Sequence, residues 1–193
     1  GGQFAFAGGI DSQSNAVYGD LTAQKGSVAS LLAVLNVAAK DLDGRLDGSI
    51  SVSGTLDKPN VWLTGTLTDG KIKNYPLESI DVDVALENGL ITVNRFFARQ
   101  GSGVLVVQGT SALEGPLNIE VGGRDLDAGL LTAWLDSNLD TRGKLAFTAQ
   151  ISGTMASPHA AVSLDISGGG VANATFDSLY VLFSLDQGRI NVN

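Results

Sequence analysis

The chain has 193 residues, no cysteine, a formal net charge of −8, and 44% hydrophobic against 17% charged residues. This balance is typical of a folded chain rather than a disordered one. The absence of cysteine excludes disulfides and thiol chemistry. Because basic residues nowhere cluster, nucleic acid and anionic membrane surfaces are not expected as partners.

The second half of the chain repeats the first. Gly54-Thr55 recurs 99 residues later as Gly153-Thr154, and this offset continues without a gap across 31–94 and 130–193. Such self-similarity marks arrays in which each unit packs against its neighbour. We therefore predict one continuous array over 1–193, with a first repeat at 1–100 and a second at 101–193.

Near the start of the chain the offset changes to 100 residues. Residues 1–10 then match 101–110, which places Phe4 over Val104 and Phe6 over Val106. No apolar run reaches about 18 residues, so no helix that spans a bilayer is expected. The first residues form neither a signal peptide nor an initiator sequence, and we expect the chain to be a piece of a longer protein.

Each repeat is predicted to form a series of β-strands, because apolar and polar residues alternate with a period of two. The second repeat keeps the register of the first, so the apolar side chains of both should share one face. Polar neighbours should point away: Ser51, Thr64, Asp83, Gln150 and Ser163. We expect the following residues to line one concave apolar surface: Ile50, Val52, Leu63, Val82, Val84, Leu86, Ile151, Val162, Leu164, Val181, Phe183 and Leu185.

Turn-forming residues separate the predicted strands. Segments rich in Asp, Asn, Gly and Pro predict turns at 57–60, 68–70, 87–89, 156–159 and 186–188. The glycine segments 101–103 and 168–170 predict bends between strands, since neither is followed by the Lys and Ser/Thr of a phosphate-binding loop.

One short helix per repeat is predicted from apolar residues at helical spacing. In the first repeat they follow a cap at Ser27 or Ser30, and in the second they follow a cap at Asp127. The apolar residues concerned are Leu31, Leu32, Val34, Leu35, Ala38, Leu130, Leu131, Trp134 and Leu135. We favour a structural plug over the end of the sheet; the alternative is a lid that faces lipid or a partner.

The sequence contains few candidates for catalytic or metal-binding residues. His159 follows Pro158 and is interpreted as a surface turn residue. Asp41, Asp43 and Asp47 resemble the start of a calcium loop, but the acidic ligand required downstream is absent, which favours a solvated turn. We therefore expect no catalytic residue, no metal site and no cofactor, and we expect the protein not to be an enzyme.

Two segments carry a family resemblance. Residues 43–61 resemble the recurrent signature G-x-L-x-G-x-(apolar)-x-(apolar)-x-G-T-x-x-x-P of the TamB family, within the AsmA-like group. The second repeat shows the same signature at 143–158, with Phe147 where the family often has glycine. The stretch 124–131 and the pairing of 89–93 with 103–109 are also similar to TamB-type repeats.

The resemblance implies an all-β fold with few short helices. In this family the repeats form an elongated curled sheet, a U-shaped groove with an apolar interior that is often called a β-taco. It also implies a periplasmic segment of a protein anchored in the inner membrane of a diderm bacterium. The expected partners are phospholipid acyl chains and, through other parts of the full-length chain, an Omp85-type outer-membrane protein.

The expected function is therefore passive movement of phospholipid between inner and outer membranes, in support of outer-membrane biogenesis. Two alternatives stay open. One is a chaperone-like surface that receives strands of outer-membrane proteins at a sheet edge. The other is a purely structural β-solenoid stalk, which predicts a closed and dry core instead of an open groove.

Overall fold

The computed structural model describes residues 2–30, 42–72, 75–130, 141–186 and 188–192. These residues form twelve strands in chain order. The strands are β1 (Gln3–Asp11), β2 (Ala16–Ser27), β3 (Leu42–Gly54), β4 (Pro59–Ile72), β5 (Tyr75–Glu87), β6 (Leu90–Gln100), β7 (Gly103–Ala112), β8 (Pro116–Asp127), β9 (Thr141–Thr154), β10 (Ser157–Val171), β11 (Ala174–Asp186) and β12 (Arg189–Val192).

All twelve strands belong to one sheet, and their order in the sheet is their order in the chain. Each strand pairs antiparallel with the next, so β1 and β12 form the two edges of a curled sheet that does not close. At about 4.8 Å per strand the sheet is about 55 Å long. The prediction of an all-β fold with an elongated curled sheet is confirmed.

The backbone repeats as the sequence does. Lys25 and Asp125 have φ angles of 49° and 53°, and Gly54 and Gly153 have φ angles of 100° and 95°. Strands β1 to β6 thus correspond to β7 to β12 in order, although β12 is much shorter than β6. The division of the chain into 1–100 and 101–193 stays a prediction.

The predicted alignment of the two first strands is wrong by one residue. Phe4 lies opposite Ala23 in the first repeat, and the residue opposite the equivalent Gly123 is Leu105, not Val104. The cause is turn length, because residues 12–15 separate β1 from β2 but only 113–115 separate β7 from β8. Since side chains alternate, this single residue moves Val104 and Val106 to the other face.

The turn predicted at 68–70 and the bend between strands predicted at 168–170 are also wrong. Both segments lie inside long strands, β4 and β10, and each is a β-bulge where the register with the preceding strand shifts. Asp69 and Gly168 take the left-handed backbone conformation there. Residues that favour tight turns also favour bulges, because both need a positive φ.

Helical backbone follows β2 at residues 28–30 and β8 at 129–130. The Ser30 N–H donates to Oγ of Ser27 (3.3 Å), and the Gly129 N–H donates to Oδ1 of Asp127 (2.8 Å). These bonds confirm Ser27 and Asp127 as caps. The rest of the helix prediction lies outside the described residues: Leu31, Leu32, Val34, Leu35, Ala38, Leu131, Trp134 and Leu135.

Most of the buried side chains, Ala85 apart, gather at one end of the strands. Leu126, Ala128, Leu130, Leu145 and Ile166 form a cluster, beside partly buried Leu105, Phe147, Leu164 and Phe176. The segments that leave β2 and β8 begin at this end of the sheet, which we call the crossover rim. The opposite end, where the turns 12–15, 55–58, 88–89, 113–115 and 155–156 lie, we call the hairpin rim.

Candidate functional site: an apolar groove

Directly opposite residues on antiparallel strands point to the same face, so the pairing register identifies which side chains share a surface. One row of opposite residues crosses the whole sheet and is apolar or glycine at every strand. We call it the central row: Phe6, Leu21, Ile50, Leu63, Val84, Val93, Gly109, Ile119, Ile151, Ala160, Leu185 and Ile190.

A second row runs beside the central row and is also apolar or glycine throughout. It comprises Phe4, Ala23, Gly48, Gly65, Val82, Phe96, Val107, Val121, Ala149, Val162, Phe183 and Val192. Val52 and Leu86 lie on the same face towards the hairpin rim, and Leu164 and Val181 lie on it towards the crossover rim. The structure therefore places all twelve predicted groove residues on one face; their role as a lipid groove stays a prediction.

The other face is mainly polar, and side-chain hydrogen bonds join its strands. The Ser51 hydroxyl donates to Asp20 (2.6 Å), and the amide of Gln108 donates to Glu120 (2.8 Å). The hydroxyls of Ser49 and Thr64 lie 3.2 Å apart, as do those of Thr148 and Ser163 at 2.8 Å. All five residues predicted to point away from the groove lie on this face: Ser51, Thr64, Asp83, Gln150 and Ser163.

The side chains of the apolar face are buried to different degrees along the strands. Its fully buried residues lie near the crossover rim, whereas the twelve predicted groove residues are all half-buried. At the two edges of the sheet the central row is open, with Phe6 73% and Ile190 71% exposed. The face is thus a groove rather than a sealed core over much of its length.

Several phenylalanine rings lie over glycines of this face. A Cβ atom added to Gly123 would collide with the ring of Phe147, and one added to Gly169 would come within 2.6 Å of the ring of Phe176. A glycine in a strand lets another group approach the backbone closely. The rings are therefore packed down on the sheet, which limits how far they project into the groove.

A cavity of about 960 Å³ occupies the apolar face at β1, β2 and β3. Among the described residues around it none is charged. The Tyr18 ring lies over Gly9 on the opposite face, so Ser30 is the lining residue with a polar side chain on this side. The lining is Phe4, Phe6, Gly8, Gly9, Ile10, Val17, Tyr18, Gly19, Leu21, Ser30, Ile50 and Val52.

A smaller depression of about 270 Å³ lies on the polar face, where Asp47, Asp81 and Asp83 are grouped. Thr66 donates to Asp81 (2.8 Å) and Asn94 donates to Asp83 (3.0 Å), so these carboxylates already accept hydrogen bonds. Within the described ranges, no group of three or more His, Cys, Asp or Glu side chains is arranged to hold a metal ion.

Two sequence interpretations of single residues need correction. His159 is not a turn residue but lies in β10, where its Nδ1 is 2.7 Å from Oδ1 of Asp186 on β11. Asp43 and Asp47 lie in β3 and not in a turn, and Asp47 accepts a hydrogen bond from the Lys25 N–H (2.9 Å). Asp41 lies outside the described residues.

A comparison with protein-family models found no matching family, and comparisons with curated proteins and with solved structures found no significant match. In the part of the chain that the structure describes, no helix has the length and apolar character needed to cross a membrane.

Proposed function

We propose that the apolar groove shields the acyl chains of phospholipid, as one segment of a protein that bridges the periplasm between inner and outer membranes. In this proposal the protein is anchored in the inner membrane of a diderm bacterium, and other parts of its chain engage an Omp85-type outer-membrane protein. The resemblance of residues 43–61 to the TamB signature supports this assignment, and the form of the groove supports it independently.

The continuity of the central row is the observation that carries the proposal. It crosses all twelve strands without a charged or polar side chain. Because the row runs across the strands, it follows the long axis of the sheet. A hydrocarbon chain that moves from strand to strand would therefore meet a similar surface at each step, and no specific polar contact would hold it back.

The free-energy cost of exposing lipid acyl chains to water is large. Exposing one methylene group to water costs about 0.8 kcal/mol, so a lipid with about 30 methylenes faces about 24 kcal/mol in an aqueous gap. A groove that covers the chains removes much of this cost while the polar head group stays in water. The hairpin rim lies away from the buried cluster at the crossover rim, and in this proposal the head group stays there in water.

Mass spectrometry of lipids that copurify with the protein tests the proposal. The chain is purified without detergent, and bound lipids are extracted and compared with those of a variant that carries Val84→Asp and Phe183→Asp. We expect about stoichiometric phospholipid on the unaltered chain and a several-fold loss on the variant. A folded, unaltered chain that carries no lipid, and that extracts none from phosphatidylcholine vesicles, would contradict the proposal.

The edges of the sheet favour strand addition as the second candidate. β1 and β12 each have one neighbour, so both leave backbone N–H and C=O groups unpaired, a template for another strand. A proline in β12, the edge strand away from the cavity at β1 to β3, would weaken binding of an unfolded outer-membrane protein segment at that edge but would leave lipid binding in that cavity intact. Charge in the groove would have the opposite effect, which separates the two candidates.

A further inference from the structure

The groove differs between its two repeats at β1 to β3 and β7 to β9. Gly19 faces the large cavity in the first repeat, whereas the equivalent position in the second repeat is Ile119. Gly19 lies opposite Gly8, and the two glycines leave a bare patch of backbone beside the ring of Phe6. The same region of the second repeat borders the buried cluster around Leu126.

We propose that the cavity at β1, β2 and β3 is a discrete binding site for the hydrocarbon chains of a lipid within the groove. This inference rests on the proposed function and adds a location and a ligand class to it. About 960 Å³ lies at the upper end of the range of small-molecule sites. The site is therefore large enough to hold a fatty acyl chain, although it is open to solvent on one side, with Phe6 and Ile10 73% and 61% exposed.

The apolar residues that line the cavity favour a hydrocarbon ligand over a peptide or a charged head group. A bound polypeptide segment would bring backbone N–H and C=O groups, and burying these without partners is costly. Of the described residues that line the cavity, Ser30 contributes a hydroxyl, and none contributes a charged, amide or imidazole side chain. An anionic or cationic head group would likewise find no counter-charge there, so it would remain at the rim.

Gly19 is the position at which the site can be filled with least disturbance. A Cβ atom on Gly19 would come within 3.3 Å of the Phe6 ring, a side chain that can move, and within 3.5 Å of the nearest backbone atom. Gly8 is less suitable, because its added Cβ would lie 2.7 Å from backbone atoms of β2. Gly19→Ile copies the residue that the second repeat carries.

The test measures binding of a dansyl-labelled fatty acid by fluorescence titration. The matched control is Gly122→Ile, which adds the same side chain on the polar face of β8, where an added Cβ meets nothing within 4 Å. We expect Gly19→Ile to weaken probe binding at least tenfold and Gly122→Ile to leave it within twofold. Thermal melts of both variants establish that they fold.

A photoreactive fatty acid on the unaltered chain provides a second measurement that needs no substitution. We expect peptides of β1 to β3 to carry most of the cross-links and peptides of β7 to β9 few. The inference would be overturned if the two repeats were cross-linked equally. It would also be overturned if the folded Gly19→Ile variant bound the probe as tightly as the unaltered chain does. Neither result would contradict the proposed function of the groove. Absence of any probe binding to the unaltered chain would overturn both the inference and that function.

Discussion

Asp69 and Gly168 occupy the same bulge in the two repeats, and both take the left-handed conformation, with φ angles of 51° and 55°. A non-glycine residue in this region carries backbone strain of about 1 kcal/mol or more, whereas glycine adopts it freely. The first repeat thus tolerates a strain that the second avoids. The ion pair of Asp69 with Arg45 spans 3.8 Å between exposed side chains and compensates little.

Exchange of these two residues should change stability in opposite directions. We expect Gly168→Asp to lower the free energy of unfolding by about 1 kcal/mol, and Asp69→Gly to raise it by up to about 1 kcal/mol. The measurement is the midpoint of urea denaturation for each variant. A shift of the same sign in both would contradict the interpretation that φ decides the effect.

Charge in the groove should block lipid without unfolding the chain. We expect Val84→Asp and Phe183→Asp to abolish photo-cross-linking of phospholipid to a probe residue beside the altered position. Each should lower the melting temperature only modestly, because a carboxylate in a half-wet groove can stay hydrated or take up a proton. The measurement is photo-cross-linking together with a thermal melt of each variant.

Matched controls carry the same charge on the polar face. Val106→Asp and Leu182→Asp replace exposed apolar residues of that face, and Leu182 is the chain neighbour of Phe183. Both controls should retain lipid cross-linking. If the groove variants unfold outright, the face is a sealed core; if they stay folded and still cross-link, lipid does not run past these positions.

The helix caps at the ends of β2 and β8 should contribute to the stability of the fold. We expect Ser27→Ala and Asp127→Ala each to cost about 1 kcal/mol, since each removes an acceptor for a backbone N–H at the start of a helical turn. Chemical denaturation measures the loss. Ser27→Asp and Asp127→Ser keep an acceptor in place and should cost much less; a cost equal to that of alanine would contradict the capping role.

The turn between β1 and β2 should be sensitive to acid. The Gln13 N–H and the Ser14 hydroxyl donate to the carboxylate of Asp11, and they hold its pKa below its ordinary value of 3.8. Since the folded pKa is lower than the unfolded one, the stabilisation is present above about pH 4 and is lost as pH falls through the folded pKa.

An NMR titration of the Asp11 carboxyl measures this pKa directly, and amide exchange at Gln13 reports the turn. We expect exchange to accelerate as Asp11 becomes protonated. Asp11→Asn keeps an acceptor oxygen but does not titrate, so it should remove the pH dependence at this turn. A pKa for Asp11 at or above 3.8 would contradict the prediction.

The alternation of apolar and polar residues determined the class of fold and the faces of the strands. Ile50 and Val84 could be assigned to one face from sequence because a strand has a period of two, and the matched repeats extended that assignment to Phe183. The caps at Ser27 and Asp127 could also be predicted, since a hydroxyl or carboxylate before an apolar helical run is a local signal.

Local sequence patterns could not predict the pairing register of the strands or the depth of the groove. Turn length moved Leu105, not Val104, into the position of Phe4, and a bulge, not a turn, formed at Asp69 because pairing with β3 resumes beyond it. The cavity beside Gly19 likewise depends on which residues lie opposite it on β1 and β3. Sequence patterns fix the face of each side chain, but only the assembled sheet sets its neighbours across strands and hence the shape of the groove.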